Sequence, residues 1–418
     1  MSESKRSFKA PSMTTQIMIA LVLGIIAGIY FPSLVASIGF LGDIFLKLIQ
    51  MGIVLLVLGQ IVAAIGHLEI HEFGKIGLGA VVTFALSSIA ASAWGVLFGM
   101  IFQPGAGIDT SGATDLGIEP GVTASISDVL VGFFPSNVIG AMAEGNIVQV
   151  ITFAIFFGVA VSVYYSHQSR QNQYFLNFLG EFNEMIIHMV RIIMTFAPVG
   201  IFALIGSAIT DFGPSVILPM LKYLLVYGGA TLVFLVIWII LVSVVCRVSI
   251  MKLVKKMSRM SILAFTTTSS AITLPTAIED AERQLGMHPD VSRLVLPLGM
   301  SLNSNGSAMF MSITIITVAQ IYGVSYGLSD IFFIIFLSTL ASLANAVVPG
   351  GGLVSLSIVI PQMGLPVESI ALFAGVEWFT GMIRTILNVN SDVYCGLLVA
   401  NSVDAIDRQV LEADLSAE

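Results

Sequence analysis

The sequence predicts an all-α polytopic membrane protein with eight transmembrane helices and two re-entrant helical hairpins, the later units arranged as an inverted repeat. Three observations carry this prediction. Hydrophobic residues fill 56% of the 418 positions and charged residues only 10%, against about 25% charged in a soluble domain. The apolar residues run in long blocks; a helix crossing roughly 30 Å of hydrocarbon needs about 20 of them, and 217–246 is one nearly unbroken run. The C-terminal part is apolar too, yet short polar clusters cut it. Non-helical backbone at membrane depth survives only where protein buries it or where it lines a cavity.

Taken in order, residues 1–250 parse into six spans, at 14–32, 36–66, 74–102, 126–165, 178–208 and 216–247. Gly and Pro punctuate their ends, as at Phe31-Pro32, Gln103-Pro104-Gly105 and Asp211-Phe212-Gly213-Pro214. Several are longer than a perpendicular crossing needs, which predicts tilt or breaks. The first run lacks a small-residue cleavage site and leads straight into further spans, so it reads as a membrane helix and not as a leader. Basic residues set the orientation. Lys5, Arg6 and Lys9, then Lys75 and Arg170, then Arg247, Lys252, Lys255, Lys256 and Arg259 share one side if six spans precede 247. The opposite loops, 103–125 and 209–215, carry Asp109, Asp115, Glu119 and Asp211 but no Lys or Arg. The expectation is a plasma (inner) membrane protein with both termini cytoplasmic.

Beyond residue 250 the polar breaks are Thr266-Thr267-Thr268-Ser269-Ser270, Asn303-Ser304-Asn305-Gly306-Ser307 and Val348-Pro349-Gly350-Gly351-Gly352. A single such cluster is explained by Ser and Thr satisfying helix carbonyls and by Gly allowing close helix packing. Three within about one hundred residues, beside intramembrane charges, point to a site. The first and last read as tips of re-entrant hairpins, each preceding a full helix. That layout, hairpin–helix twice, places a binding site near the midplane.

The last apolar stretch, 370–400, contains a polar stripe. Glu377, Gly381, Arg384, Asn388 and Asp392 are spaced four, three, four and four apart, so they share one helix face. An arginine at that depth costs at least about 2.5–3.5 kcal/mol on insertion scales, so an anion or a hydrated cavity must answer it. Two readings stand. Arg384 and Glu377, two turns apart, form a structural ion pair; or Arg384 is the anchor for a solute carboxylate, which a planar guanidinium grips through two hydrogen bonds. The second is preferred, because intramembrane ionisable groups mark substrate pathways by default. Asp392 is a hard oxygen ligand that, with Asn303 and Asn388, suits a small monovalent cation.

Other classes are disfavoured. The net charge of −8 offers no basic surface for nucleic acid. Cys246 and Cys395 lie inside apolar segments and form neither a disulfide framework nor a metal site. His67, His71, His167, His188 and His288 fall in or near loops and helix ends, and no nucleophile–base array is visible, so an enzyme is not expected. A channel is the rival from another class; it has no need of broken hairpins closing over a carboxylate.

Over nearly its whole length the chain resembles the dicarboxylate/amino acid:cation symporter family, the glutamate transporter homologues. Asn137 with Gly145-Asn146-Ile-Val-Gln149 resembles the fourth-helix signature, and Phe196-Ala-Pro198-Val-Gly200 the fifth-helix motif. Ser269-Ser270 with Thr273-Leu274-Pro275 resembles the first hairpin tip, and Pro349-Gly350 with Gly352 the second. Asn303-Ser-Asn305-Gly306-Ser307 sits at the Asn-Met-Asp-Gly-Thr motif, and Arg384-Thr385, Asn388 and Asp392 at the last-helix motif. The resemblance implies a homotrimer working as an elevator. Residues 1–72 (helices 1–2) and 126–208 (helices 4–5) would form a scaffold, the latter with trimerisation. Residues 73–125 (helix 3 and an extracellular loop) and 209–418 (helix 6, hairpin 1, helix 7, hairpin 2, helix 8) would form a moving transport domain gated by the second hairpin. It also implies that Arg384 takes a distal carboxylate, that Thr385 and Asn388 bind near the main carboxylate and nitrogen, and that Ser269, Ser270, Ser307 and Gly352 add polar groups from the hairpin tips and the broken helix.

Three departures from the family pattern bear on substrate and coupling. Gly381 stands where amino-acid carriers have an aspartate that pairs with the substrate ammonium, and a buried unpaired ammonium is costly. This favours a succinate-, fumarate- or malate-like dicarboxylate over aspartate, glutamate or a neutral amino acid, with Glu377, one turn earlier, keeping the amino-acid alternative open. Asn305 replaces a cation-ligating aspartate, and its third-helix partners are Phe84, Ser87 and Ser88. A set without formal charge is a poor home for a hard cation, so a third cation site there is expected to be weak or absent. Thr268 replaces a hairpin arginine. The expected coupling ion is Na+ at Asn303, Asn388 and Asp392, or H+ through Glu377 or Asp392, with no other cofactor.

Overall fold

A computed structural model of the chain describes residues 13–67, 74–106, 131–166, 173–214, 217–343 and 351–413. Lys5, Arg6, Lys9, His71, Asp109, Asp115, Glu119, His167, Arg170, the first residues of the fourth predicted span and the Pro349-Gly350 tip lie outside those residues.

The described residues are almost entirely helical. In chain order the helices are α1 (Met13–Tyr30), α2 (Pro32–Ile38), α3 (Phe40–Gln50), α4 (Ile53–Gly66), α5 (Gly74–Phe102), α6 (Val138–Ala143) and α7 (Ile147–Ser166). Then come α8 (Tyr174–Met194), α9 (Ala197–Phe212), α10 (Ile217–Cys246), α11 (Ile250–Thr267), α12 (Ser270–Arg283) and α13 (Pro289–Leu302). The chain closes with α14 (Asn305–Ile321), α15 (Leu328–Ser342), α16 (Gly351–Gln362), α17 (Ile370–Ala374), α18 (Glu377–Ser402) and α19 (Arg408–Glu412). Three stretches, Lys75–Phe102, Ile147–Ser166 and Ile217–Cys246, are each long and apolar enough to cross a membrane. Two bent pairs pass the same test, Tyr174–Met194 with Ala197–Thr210 at 61° and Val367–Ala374 with Glu377–Ser402 at 86°. This is an all-α membrane protein.

Predicted spans 74–102 and 216–247 coincide with α5 and α10; three others are broken. Span 36–66 is α2 to α4 in pieces, with a turn at Met51-Gly52. Span 126–165 is divided between α6 and α7 at Gly145, whose φ of +69° suits glycine, without the Cβ that disfavours this region. Span 178–208 bends where α9 begins next to Pro198, a residue that brings no N–H and fits best in a helix's first turn.

Two groups of helices pack around separate seams. In one, α9 lies against α1 and α3, while α4 lies against α7 and α8. In the other, α18 is the hub and touches α5, α10, α11, α12, α13 and α14. Where Ser269 caps the second arm, α11 and α12 turn back on each other at Thr268. Because α18 is surrounded, its polar stripe faces protein on every side, and this positions the site.

Candidate solute-binding site

The stripe is buried as a whole: Glu377, Arg384, Thr385, Asn388 and Asp392 are each 5–6% exposed. Arg384 Nη2 donates to Glu377 Oε1 at 2.9 Å. The same oxygen accepts the backbone N–H of Gly352, at the start of α16, at 2.9 Å, and Oε2 accepts the Thr380 hydroxyl at 3.3 Å. The guanidinium carbon lies 5.1 Å from the centre of the Phe310 ring, within cation–π range. The ion pair, the less favoured of the two sequence readings, is therefore formed in this structure. It uses only part of the guanidinium: Nη1 is buried and has no hydrogen-bond partner.

Both hairpins converge on this pair. A Cβ on Gly352 would sit 2.2 Å from Arg384 Nη1 and 2.2 Å from Glu377 Oε2, so only glycine lets the α16 backbone approach. From the other hairpin comes Thr268, held in the left-handed region at φ 51°. It is buried and its Oγ1 has no partner. A Cβ on Gly381 would lie 3.9 Å from Thr268 Cβ and 3.7 Å from Arg384 Nη2. Thr268, through its Cβ and Cγ2 methyl, and the paired Nη2 of Arg384 thus flank Gly381, while the two orphaned groups are Arg384 Nη1, on the Gly352 side, and Thr268 Oγ1. Buried polar groups are nearly always paired, so these mark where a polar solute would bind.

The remaining expected residues have local duties as well. Ser269 Oγ accepts the Ile272 N–H at 3.4 Å as the N-cap of α12, and Ser270 is buried in that first turn. Thr385 donates to the Gly381 carbonyl at 2.8 Å. Asn388 Oδ1 accepts from the N–H groups of Gly306 (2.7 Å) and Ser307 (3.4 Å), and its Nδ2 donates to Ser307 Oγ at 3.4 Å. Asn388 therefore satisfies the free donors at the start of α14, which the stripe alone does not reveal. A Cβ on Gly306 would lie 2.2 Å from the Arg384 carbonyl oxygen, so the break between α13 and α14 lies directly on the α18 backbone.

One turn further on, Asn303 Nδ2 donates to Asp392 Oδ1 at 3.0 Å, and Asn303 Oδ1 accepts from Ser87 at 2.8 Å. Asp392 has no ion-pair partner among the described residues. A buried carboxylate in that position calls for a proton or a cation; the amide oxygens of the expected co-ligands, Asn303 and Asn388, are engaged here by Ser87 and by the N–H groups of Gly306 and Ser307. The third-helix set also comes together. Asn305 Oδ1 accepts from Ser87 at 3.2 Å and Ser88 at 3.0 Å, while Asn305 Nδ2 has no partner. It is a neutral cluster joined by its own hydrogen bonds.

Two features were not anticipated. His188 lies well inside α8, not at a helix end, and lines a cavity of about 590 Å3 with His67, Gln60, Glu184, Arg191 and Ser301. Phe310 joins the site without a sequence signal of its own, as a phenylalanine in an apolar helix; Thr268, noted in sequence as a departure from the family pattern, had no role assigned to it.

The model of the sodium:dicarboxylate symporter family matches residues 13–402. A protein of Escherichia coli (strain K12) named a proton/glutamate-aspartate symporter is 30% identical over 416 residues, covering 95% of this chain and 94% of its own. A proton/sodium-glutamate symport protein of Bacillus caldotenax is 29% identical over 396 residues, covering 92% and 93%. A proton/glutamate-aspartate symporter of Bacillus subtilis (strain 168) is 30% identical over 392 residues, covering 92% and 93%.

Proposed function

The chain belongs to the sodium:dicarboxylate symporter family, and from that premise we propose that it takes up a small acidic amino acid of the aspartate or glutamate class, coupled to H+, Na+ or both. The carrying observation is the buried Arg384 guanidinium with one arm unpaired beside Gly352, at the start of α16. Its free Nη1 calls for a carboxylate, and a fork gripping both oxygens is stronger than a single bond. The names of the relatives weigh toward glutamate and aspartate. Gly381, which offers the substrate ammonium no carboxylate, weighs the other way, but it does not exclude an amino acid whose ammonium finds neutral acceptors. The hydroxyl of Thr268, the residue flanking Gly381, is unpartnered and can accept.

Plain C4-dicarboxylates are the second reading, favoured by Gly381, which puts no carboxylate at that position. In the amino-acid reading Thr385 and Asn388 lie near the main carboxylate and nitrogen, with Ser269, Ser270, Ser307 and Gly352 around them. Asn303, Asn388 and Asp392 would hold Na+, balancing charge, while Asn305, Ser87 and Ser88 would not. The working unit in this reading is a homotrimer in the plasma membrane with cytoplasmic termini. It has eight transmembrane helices and two hairpins, and residues 73–125 and 209–418 move as an elevator against 1–72 and 126–208.

Competition in proteoliposomes tests the substrate. L-Aspartate or L-glutamate should displace a bound radiolabelled partner at lower concentration than succinate; the reverse order selects the dicarboxylate reading. Accumulation against a gradient, driven by Na+ or pH, excludes a pure anion channel.

A further inference from the structure

We propose that Glu377 is the resident occupant of the Arg384 anion seat, displaced by the solute's carboxylate and carrying one proton inward with it. This rests on the symporter reading and specifies one of its coupling groups.

The argument starts from what Glu377 holds. One carboxylate oxygen bridges the guanidinium of α18 and the Gly352 N–H of the second hairpin, each at 2.9 Å. A solute carboxylate gripped by Arg384 beneath that hairpin would make the same two kinds of contact. Glu377 thus keeps the seat neutral and the hairpin down when no solute is present. It is an imperfect occupant, because it leaves Nη1 unbonded. A carboxylate that reaches both Nη1 and Nη2 satisfies this orphan, which favours exchange.

Charge counting supplies the proton. Before exchange the buried pair is neutral. Afterwards Arg384 is neutralised by the solute's distal carboxylate, and the released Glu377 is one negative charge in excess. An isolated carboxylate in a low-dielectric interior is costly. Taking H+ from bulk water, with a new O–H bond on the oxygen that Arg384 released, restores the balance. An acidic amino acid of net charge −1 together with one H+ then enters as a neutral sum.

The released side chain has somewhere to go. Glu377 borders a cavity of about 370 Å3 with Arg191 of α8 across it and Trp378 and Leu353 beside it. The titratable groups around Glu377 are Arg384 on its own helix, Arg191 across the cavity, and Tyr223 and Tyr227 on α10. The tyrosine hydroxyls are engaged elsewhere, with Thr314 and with the Gly306 carbonyl. The second hairpin presents a backbone N–H and no charge at this point.

The test compares wild type with Glu377→Gln, which keeps the shape and loses the charge, both full-length in nanodiscs. Without solute, amide exchange over 351–356 should be about tenfold faster in the variant, because a neutral amide oxygen is the weaker acceptor. An unchanged rate overturns the resident role. On titration with L-aspartate, L-glutamate or succinate in weak buffer, wild type should take up one proton per bound probe. Its affinity should weaken by up to about tenfold per pH unit on the alkaline side. Glu377→Gln should bind more tightly, with affinity independent of pH and no such uptake. Equal proton uptake by both proteins, or none by wild type (the result if Arg191 neutralises the released acid), overturns the proposal. If no probe binds wild type, the symporter reading for these solutes fails, while the exchange comparison still decides the role of Glu377.

Discussion

At Gly352 a backbone amide reaches a buried ion pair, and the space for a methyl group is already taken by Arg384 and Glu377. Overpacking a tight site typically costs about 1–3 kcal/mol, and here the strain falls on the two charged groups that define the seat. Gly352→Ala should reduce solute uptake in proteoliposomes by at least about fivefold while the protein still reaches the membrane. Arg384→Ala should abolish solute binding in a thermal-shift assay and lower the melting temperature even without solute, since it strands the buried Glu377 charge. Asp392→Asn removes the one formal charge from the Asn303–Asn388 set, so the dependence of binding affinity on Na+ concentration should flatten; an unchanged Na+ response would take Asp392 out of cation coupling. The stripe from Glu377 to Asp392 was legible because charges at helical spacing inside an apolar run have few structural explanations. Its partner Gly352 was named only through the family resemblance, and its pairing with Glu377 was not legible, because a backbone amide 25 residues away carries no side-chain chemistry to read.

At the scale of elements, the turn between α11 and α12 and the break between α13 and α14 were legible from polar clusters in apolar segments. The interruptions in α2–α4 and between α6 and α7 were less so, because single glycines or small turns suffice to break helices that packing then supports. Least visible was the basal clamp. Lys256, only 4% exposed, donates to the carbonyls of Gln284 (2.9 Å), Val410 (2.6 Å) and Leu411 (2.8 Å). It ties α11 to the α12–α13 turn and to α19. Nearby, the Asp407 N–H donates to the Gly286 carbonyl at 2.7 Å and the His288 N–H to that of Ala405 at 3.0 Å. In sequence Lys256 reads as one more cation of a basic segment; carbonyl partners leave no signature. Each buried carbonyl that loses its donor costs about 1–3 kcal/mol, so Lys256→Met should lower the melting temperature and expose the chain after residue 405 to limited proteolysis. Equal protease resistance would mean that the neighbouring backbone bonds hold the C-terminal segment without it.

For the whole molecule, the question is whether the group of helices around α18 moves against the group around α9. The contact between them includes Gly375, just after α17, against Ile205 in α9: a Cβ on Gly375 would lie 2.5 Å from Ile205 Cδ1 and 3.6 Å from its Cγ1. Cysteines at these two positions are therefore near enough for a short cross-link. The native Cys246 and Cys395 are both buried and should compete little. An elevator must separate such a pair during each cycle, whereas a gate that opens and closes around a fixed core need not. With Ile205→Cys and Gly375→Cys combined, Hg2+ should abolish solute uptake in proteoliposomes and leave solute binding in detergent within about twofold of the untreated variant. Either single cysteine should be insensitive to Hg2+. Uptake that persists after the cross-link has formed would mean that these two groups of helices stay together during transport, and the gating would then have to be sought within the hairpins alone.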